Sequence, residues 1–333
     1  MRAPLTLHTP LDVYYHSYYL VGIRDLLGSP RFRVRRGERP TTRPELLACE
    51  LHGPGLRVVF DARDGTWYDP RGLDWADVYA KINVDPAHPP APSRARVVPL
   101  GPGFAVRAWG PARTIAACLR SLPPPGLGRQ ALRRHLAGFW RQYRYRLPIE
   151  EYEREGPPSS PGYVFTMSSL WTGHSECNEA RARFMRVCRA IPGVVFEGGF
   201  APRLTTGVPG YEELTTPGRC TLAEYVERTR RSAVVFNTPA VAECHGWKLG
   251  EFLALGKAIL STPLARALPA PLEHGVHVHF VDGSEAAIRD GAERILRDAS
   301  YRRTLERGAR QYYLDHVRPR SAVARVLRAG TAG

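Results

Sequence analysis

Short apolar runs alternate with segments of helical periodicity along the chain, and this alternation predicts an α/β fold. In the second half of the sequence, apolar runs at 163–167, 194–196, 234–236 and 258–260 are separated by helix-like segments. Runs without a polar face are typical of strands that helices cover on both sides. We therefore expect a doubly wound, mainly parallel sheet in this half of the chain.

The first half of the sequence shows a similar alternation with longer helices. Residues 11–28 carry aromatic and aliphatic side chains at helical spacing and end at a glycine, which favours a helix stop. The pattern further predicts a short helix at 44–51, a strand at 56–60, and helices at 111–121 and 129–145. A second doubly wound domain is the expected result.

The strongest linker signal lies near the middle of the chain. Residues 150–162 are acidic and then rich in Pro, Gly and Ser. Because 333 residues are enough for two domains, we expect one domain at 1–150 and a second at 151–316. A tail at 317–333 can return to the first domain.

One segment of the second domain combines a predicted strand, loop and helix with chemically useful side chains. Glu243 lies in the loop and Glu251 in the helix, with seven residues between them, and Gly246 marks the helix start. A helix N-terminus carries free N–H groups and a partial positive charge, so it can bind a diphosphate, and Lys248 adds charge there. Glu251 then lies within reach of a ribose, and Glu243 within reach of a group beyond the phosphates. The alternative is a chance pair of glutamates.

These residues resemble a known motif. Glu243, Gly246 and Glu251 match the donor-binding motif of GT-B glycosyltransferases of the Glu-x7-Glu type, and residues 194–315 resemble the second domain of that family. The resemblance implies two Rossmann-like domains facing a cleft, a nucleotide-sugar donor, no metal, and often retention of the anomeric configuration. In the family the first Glu contacts the sugar and the second contacts the ribose.

Two further positions complete the predicted donor site. A serine follows the strand at 163–167, and an arginine lies inside the next predicted helix, where hydroxyl, N–H and guanidinium groups suit phosphate. The residues predicted to bind the donor are Ser169, Arg181, His245, Gly246, Trp247, Lys248, Leu249 and Glu251, with Glu243 as the catalytic group.

The first domain offers three candidates for the acceptor side. His16 is flanked by tyrosines in the first helix and has a pKa suited to acid–base chemistry near neutrality. Asp61 and Asp64 follow a predicted strand at the edge where open parallel sheets bind ligands. The alternatives are a core helix for His16 and a simple Asp-Gly turn for the two aspartates.

Charge favours anionic partners. The net charge is +15, and nearly all of the positive charge is arginine, since the chain has three lysines. The helix predicted at 129–145 is especially basic and interleaved with aromatic residues, so it suits an anionic membrane surface or a nucleic acid. The alternative for this helix is an ordinary solvated face. The alternative for the net charge is a general preference for arginine over lysine on the protein surface. The acceptor is expected to be a small molecule or a lipid-linked group, without a nucleic-acid partner.

Other features narrow the class of protein. The six cysteines are scattered without a C-x-x-C pair, which favours a reducing cytosol and argues against a zinc site. His277 and His279 alternate on a predicted strand, but no carboxylate or cysteine completes a ligand set, so a strand face is preferred. The chain has no run of eighteen apolar residues and no secretory leader pattern. We expect a cytoplasmic protein, possible contact with the membrane being peripheral.

The sequence thus predicts a glycosyltransferase that needs no metal or other cofactor. Two rival hypotheses stay open. One is another GT-B enzyme, a nucleotide-sugar epimerase or a phosphorylase. The other is a basic protein that binds nucleic acid and has no transferase activity.

Overall fold

The computed structural model describes residues 5–8, 11–28, 31–32, 40–43, 45–123, 126, 128–202 and 208–331. The chain divides into two compact units, and each is described by itself. Unit 1 comprises Met1–Glu151, Arg266–Ala270 and Asp315–Gly333, and unit 2 comprises Tyr152–Ala265 and Pro271–Leu314. Both units contain strands and helices, so the chain is an α/β protein.

Unit 1 is built on one six-stranded sheet, whose strands are β1 (Leu5–Leu7), β2 (Arg31–Phe32), β3 (Leu47–Leu51), β4 (Leu56–Asp61), β5 (Val78–Lys81) and β6 (Arg96–Pro99). The order across the sheet is β2-β1-β3-β4-β5-β6. Strand β3 runs antiparallel to both of its neighbours, and the other neighbouring pairs are parallel. The sheet is therefore mixed, with three parallel and two antiparallel pairs of neighbours.

Strand β3 corrects the prediction of a short helix at 44–51. Leu47 pairs with Phe60 of β4 on one side, and Cys49 pairs with Leu7 of β1 on the other. Because β3 fills the space between two strands, tertiary pairing outweighs the weak helical pattern of this segment. Residue 44 lies outside the described residues.

The helices of unit 1 are α1 (Val13–Leu27), α2 (Pro70–Trp75), α3 (Pro111–Arg120), α4 (Gly128–Tyr145) and α11 (Pro319–Thr331), and α5 (Ile149–Glu153) lies at the boundary with unit 2. Helix α11 packs against α1 at Gly22. A Cβ atom on Gly22 would come within 2.2 Å of the Pro319 carbonyl oxygen, so only glycine permits this close approach. The Tyr18 hydroxyl also donates to the Val317 carbonyl at 3.0 Å.

Unit 2 contains strands β7 (Tyr163–Ser169), β8 (Val195–Ala201), β9 (Val235–Asn237), β10 (Ile259–Ser261) and β11 (His279–Phe280), and helices α6 (Ser175–Ala190), α7 (Leu222–Arg231), α8 (Trp247–Ala254), α9 (Glu285–Arg297) and α10 (Ala299–Tyr312). Strands β9, β10 and β11 are parallel neighbours, and β7 pairs in parallel with β8. The Ala233 N–H donates to the Tyr163 carbonyl at 2.8 Å, which places β9 next to β7. The resulting order is β8-β7-β9-β10-β11.

The core of unit 2 explains why its strands are apolar throughout. Phe236 of β9 stacks on Phe184 of α6 with ring centroids 4.8 Å apart, and Ile288 of α9 is fully buried in the same cluster. Val164 of β7 and Leu260 of β10 also lie in this cluster. The apolar runs therefore correspond to strands that helices cover, as the sequence predicted.

Two general properties follow from the described residues. All six cysteines are free thiols. Across the described part of the chain, helices fall short of the length and apolar character that crossing a bilayer requires.

Candidate functional site

The donor-site residues predicted from sequence lie around the ends of β7 and β9 in unit 2. These two strands are neighbours, but the chain continues from β7 to the outer strand β8 and only then to β9. The strand order therefore reverses between β7 and β9. In open α/β sheets, ligands bind beyond the carboxyl ends of the strands at such a reversal.

The loop after β9 holds Glu243 in an unusual backbone conformation. Ala242 and Glu243 have φ values of 55° and 57°, the region that side chains with a Cβ rarely occupy. The Ala240 N–H donates to the Cys244 carbonyl at 3.0 Å, which closes the turn around both residues. Glu243 is exposed on this loop. Strained backbone of this kind costs about 1–3 kcal/mol per residue and is frequent at functional sites.

Helix α8 begins directly after this loop. Gly246 is its N-cap, and no side chain caps the helix start. A Cβ on Gly246 would lie 3.4 Å from the Ala240 Cβ, which is ordinary van der Waals contact. Leu249 is buried, and its N–H donates to the Gly246 carbonyl at 3.1 Å, so the structure gives it a packing role. His245 is also buried, whereas Trp247 is half-buried.

A hydrogen-bonded chain of three side chains joins α7 to α8. Lys248 Nζ donates to the Tyr225 hydroxyl at 2.9 Å, and that hydroxyl donates to Glu251 Oε2 at 3.0 Å. The Lys248 ammonium also lies 4.4 Å from the centre of the Tyr225 ring. No pattern in the sequence points to Tyr225, because it precedes the motif by about twenty residues and reaches it only through the packing of α7 on the sheet.

Burial changes the acid–base behaviour of this chain. Loss of solvent lowers the pKa of Lys248 to about 8, although the negative charge of Glu251 acts in the opposite direction. Burial also raises the pKa of Tyr225 well above its ordinary value, and Glu251 adds to that rise. Tyr225 therefore stays protonated, and Lys248 changes charge near pH 8. Glu251 is 6% exposed.

Arg181 of α6 brings a second cation to the same place. Its guanidinium donates to the carbonyl of Ser169, the last residue of β7, at 3.2 Å. The positive charge of Arg181 contributes to the lowered pKa of Lys248, because the two cations repel each other. Among the residues that the structure describes, neither Arg181 nor Lys248 forms an ion pair with a carboxylate. An anion bound between them would relieve the repulsion.

The candidates in unit 1 have mainly internal partners. His16 is buried, with Nδ1 3.0 Å from the Asp12 carbonyl oxygen and Nε2 3.1 Å from the Phe60 carbonyl oxygen. Burial lowers its pKa. Since both ring nitrogens face carbonyl groups of the protein, His16 connects α1 to β4, and a role in catalysis would require one of these contacts to break.

Asp61 is fully buried at the end of β4 in a dense network. Its carboxylate accepts from Arg63 at 2.7 Å, from the Tyr79 hydroxyl at 2.8 Å and from Lys81 at 3.1 Å. Burial alone would raise the pKa of Asp61, but the bonds from Arg63 and the charge of Lys81 outweigh it and lower the pKa. Such a carboxylate is a weak base. Asp64, three residues later, is exposed.

Metal-binding side chains are not clustered. No group of three His, Cys, Asp or Glu side chains in the described residues is arranged to hold a metal ion. Strand β11 contains His279, whose Nδ1 lies 2.7 Å from the Tyr301 hydroxyl, while His277 lies in the turn before the strand. The strand predicted for both histidines is thus shorter than expected.

Unit 1 has a separate concavity of about 380 Å³, lined in part by Arg24, Arg107 and Tyr143.

Comparison with known proteins finds similarity in structure alone. No protein-family model and no curated protein sequence matches the chain. Similar solved structures include a glycosyltransferase from Rickettsia africae, with 10% identity and a TM-score of 0.40 over 77% of this chain and 63% of that chain. An α,α-trehalose-phosphate synthase (UDP-forming) from Burkholderia vietnamiensis has 13% identity and a TM-score of 0.44 over 78% of this chain and 62% of that chain.

A third similar structure is WaaG, a glycosyltransferase involved in lipopolysaccharide biosynthesis, with 15% identity and a TM-score of 0.33 over 75% of this chain and 78% of that chain. This chain spans about three fifths of the length of the first two structures. Because all three TM-scores are below 0.5, function has to be inferred from the residues of this chain.

Proposed function

We propose that the chain is a GT-B glycosyltransferase that transfers a sugar from a nucleoside-diphosphate sugar to an acceptor hydroxyl. The observation that carries the proposal is the pair of cations, Arg181 and Lys248, beside the uncapped start of α8 at the strand-order reversal. A diphosphate is the anion that such a place suits, because it accepts hydrogen bonds from backbone N–H groups and from charged side chains together.

The same groups would stabilise the reaction. In the transfer, the bond between the anomeric carbon and the diphosphate oxygen breaks, and the diphosphate leaves with the electron pair. The acceptor oxygen bonds to the sugar, and its hydroxyl proton passes to the departing diphosphate. Negative charge on the leaving group develops next to Lys248 and the positive N-terminal end of the α8 dipole. In this proposal the transfer proceeds without a metal ion and with retention at the anomeric carbon.

The two glutamates would bind the other parts of the donor. Glu243 is exposed on its strained loop, where it can contact sugar hydroxyls. Glu251 lies about one turn into α8 and would bind the ribose, sharing its carboxylate with Tyr225. In this proposal Ser169 contacts the phosphates and Trp247 contacts the nucleoside. In unit 1, exposed Asp64 is the best-placed of the predicted carboxylates to meet an acceptor.

The first test is a thermal-shift panel of nucleoside diphosphates with each common base, at low and at high salt. A ligand at a hundred times its Kd adds about 2.7 kcal/mol to stability, which is a shift of a few degrees for units of this size. A shift with one base identifies the donor class. Absence of any shift, together with steep salt-dependent binding of RNA or DNA, would replace the proposal with nucleic-acid binding.

Glu251→Gln refines the test. If Glu251 binds ribose, this variant binds nucleoside and nucleoside diphosphate more weakly by the same factor and binds inorganic diphosphate as before. If the variant binds nucleosides with the parent's affinity, Glu251 is not part of the donor site.

A turnover assay separates the enzyme classes. A transferase releases free nucleotide from the matching nucleotide sugar in the presence of an acceptor, and NMR of the product reports the anomeric configuration. Interconversion of nucleotide sugars without any acceptor would instead assign an epimerase.

A further inference from the structure

Two neighbouring helices of unit 1 expose large apolar side chains. On α3, Ile115 and Leu119 are 62% and 61% exposed. On α4, Leu132, Leu136 and Trp140 are 41%, 46% and 57% exposed. These residues recur at intervals of four, so each helix presents one apolar stripe to its surroundings. We call these five residues the apolar stripes.

The side chains of the apolar stripes are exposed although both helices are firmly packed on unit 1. The adjacent face of α4 carries buried His135, Phe139 and Gln142. His135 Nε2 lies 3.0 Å from the Cys118 carbonyl oxygen of α3, and Gln142 Oε1 accepts from the Ala108 N–H at 2.5 Å. Since these contacts fix both helices on unit 1, the stripes are held outward by a packed and hydrogen-bonded base.

The same region has an extreme charge. Between Pro111 and Ile149 the sequence has eight arginines and no aspartate or glutamate. Seven of them form no ion pair in the described part of the chain, namely Arg113, Arg120, Arg129, Arg133, Arg134, Arg141 and Arg144. Elsewhere arginines do find carboxylates, as Arg186 does with Glu213 at 3.0 Å. Helices α3 and α4 thus carry a dense group of arginines without ion pairs among the described residues.

We propose that α3 and α4 form a docking surface for an anionic lipid membrane. Apolar side chains that project from a basic helix bury in the boundary between headgroups and acyl chains, and arginines beside them contact lipid phosphates. Each arginine near an anionic surface strengthens binding about fivefold at low salt. A nucleic acid would use the arginines and stack on Trp140, but it would leave the four aliphatic side chains in water. The membrane accounts for both features.

This inference is independent of the donor site, because every residue in it belongs to unit 1 and none has a role in nucleotide binding. Its experiment is co-sedimentation of the full chain with vesicles of phosphatidylcholine alone, and with vesicles containing about a third of phosphatidylglycerol. We expect binding to the anionic vesicles only, weakened by high salt.

Two variants separate the contributions. Leu132→Gln with Leu136→Gln removes apolar surface without changing charge and keeps good helix formers. We expect it to weaken vesicle binding about tenfold or more, including at low salt. Arg133→Gln, Arg134→Gln and Arg141→Gln together remove three charges and should weaken binding by a similar or larger factor.

The matched control removes three charges from exposed positions of unit 2. Arg297→Gln, Arg303→Gln and Arg307→Gln together should leave vesicle binding within about twofold of the parent. All variants should keep the parent's melting temperature, which shows that they fold. Membrane docking through this surface is wrong if the double leucine variant binds vesicles as tightly as the parent does. It is also wrong if the unit 2 control loses as much vesicle affinity as the triple arginine variant of α4. Arginine-dependent binding of single-stranded RNA with no vesicle binding would assign the surface to nucleic acid instead.

Discussion

The Tyr225 hydroxyl of α7 donates a hydrogen bond of 3.0 Å to Glu251 Oε2 of α8. Since it also accepts a bond from Lys248, one hydroxyl fixes the positions of a cation and a carboxylate that we assign to the diphosphate and the ribose. A tyrosine outside the motif thus organises the motif.

Tyr225→Phe tests this arrangement. Loss of the hydroxyl leaves Lys248 and Glu251 without their shared partner, so we expect nucleoside-diphosphate affinity to fall about tenfold, corresponding to roughly 1.4 kcal/mol. Calorimetric titration measures the change. Tyr163→Phe is the matched control, because the Tyr163 hydroxyl donates to Glu197 at 2.5 Å in the same unit. If both variants bind nucleotide equally well, Tyr225 does not organise the site.

Lys248 makes donor binding depend on pH. Burial lowers its pKa to about 8, so the ammonium is charged below pH 8 and loses its charge as the pH rises above it. We expect the Kd for nucleoside diphosphate to be constant from pH 6.5 to 7.5 and then to rise by up to tenfold per pH unit above 8.

The control for this pH dependence is Lys248→Arg. A guanidinium stays charged over the whole range, so the variant should bind with little change between pH 7 and 9.5. An equal rise of Kd in parent and variant would place the titrating group elsewhere.

The strained loop predicts opposite effects on stability and turnover. At the positive φ of Glu243, glycine carries no steric penalty, so Glu243→Gly should raise the free energy of unfolding by up to about 1 kcal/mol while it lowers transfer strongly. Ala242→Gly, at φ 55°, is the matched control and should stabilise without the loss of turnover. Thermal unfolding and the transfer assay give both quantities. If Glu243→Gly turns over as the parent does, Glu243 does not contact the sugar.

Asp61 should prove to be a structural residue. Asp61→Asn leaves buried Lys81 and Arg63 without their carboxylate, and breaking a buried pair costs about 3–5 kcal/mol. Because its pKa is lowered in the folded protein, the stabilisation from Asp61 is complete above its unfolded-state pKa and is lost as the pH falls through the folded value.

Asp64→Asn is the comparison for Asp61. Asp64 is exposed, so its substitution should change the melting temperature little, while turnover falls if it contacts the acceptor. A stable Asp61→Asn protein without turnover would instead identify Asp61 as a catalytic base.

The sequence predicted those parts of the fold that hydrophobic periodicity determines. Helix α1, strand β4 and the β9–α8–β10 step lie within one or two residues of their predicted bounds. The helix predicted at 44–51 was wrong, because strand β3 forms there by pairing with β1 and β4. The local hydrophobic pattern does not show which distant strands will pair with this segment.

The candidate site was predictable to a similar extent. Spacing identified Glu243 and Glu251, and the helix start drew attention to Lys248. Neither Tyr225 nor the left-handed backbone at Ala242 leaves a local signal, since both arise from tertiary packing. His16 was chosen for its chemistry, but burial against two carbonyl groups decides its behaviour. Whether it takes part in catalysis stays a prediction.

The division of unit 1 among separate chain segments has a consequence for biosynthesis. Helix α11 covers α1 at Gly22, yet almost the whole of the chain lies between them in sequence. On the ribosome, all strands of unit 2 are made before α11, so α1 lacks its covering helix while unit 2 is being synthesised. Nascent unit 1 therefore exposes part of its core during that time, and chaperone binding should concentrate on that unit.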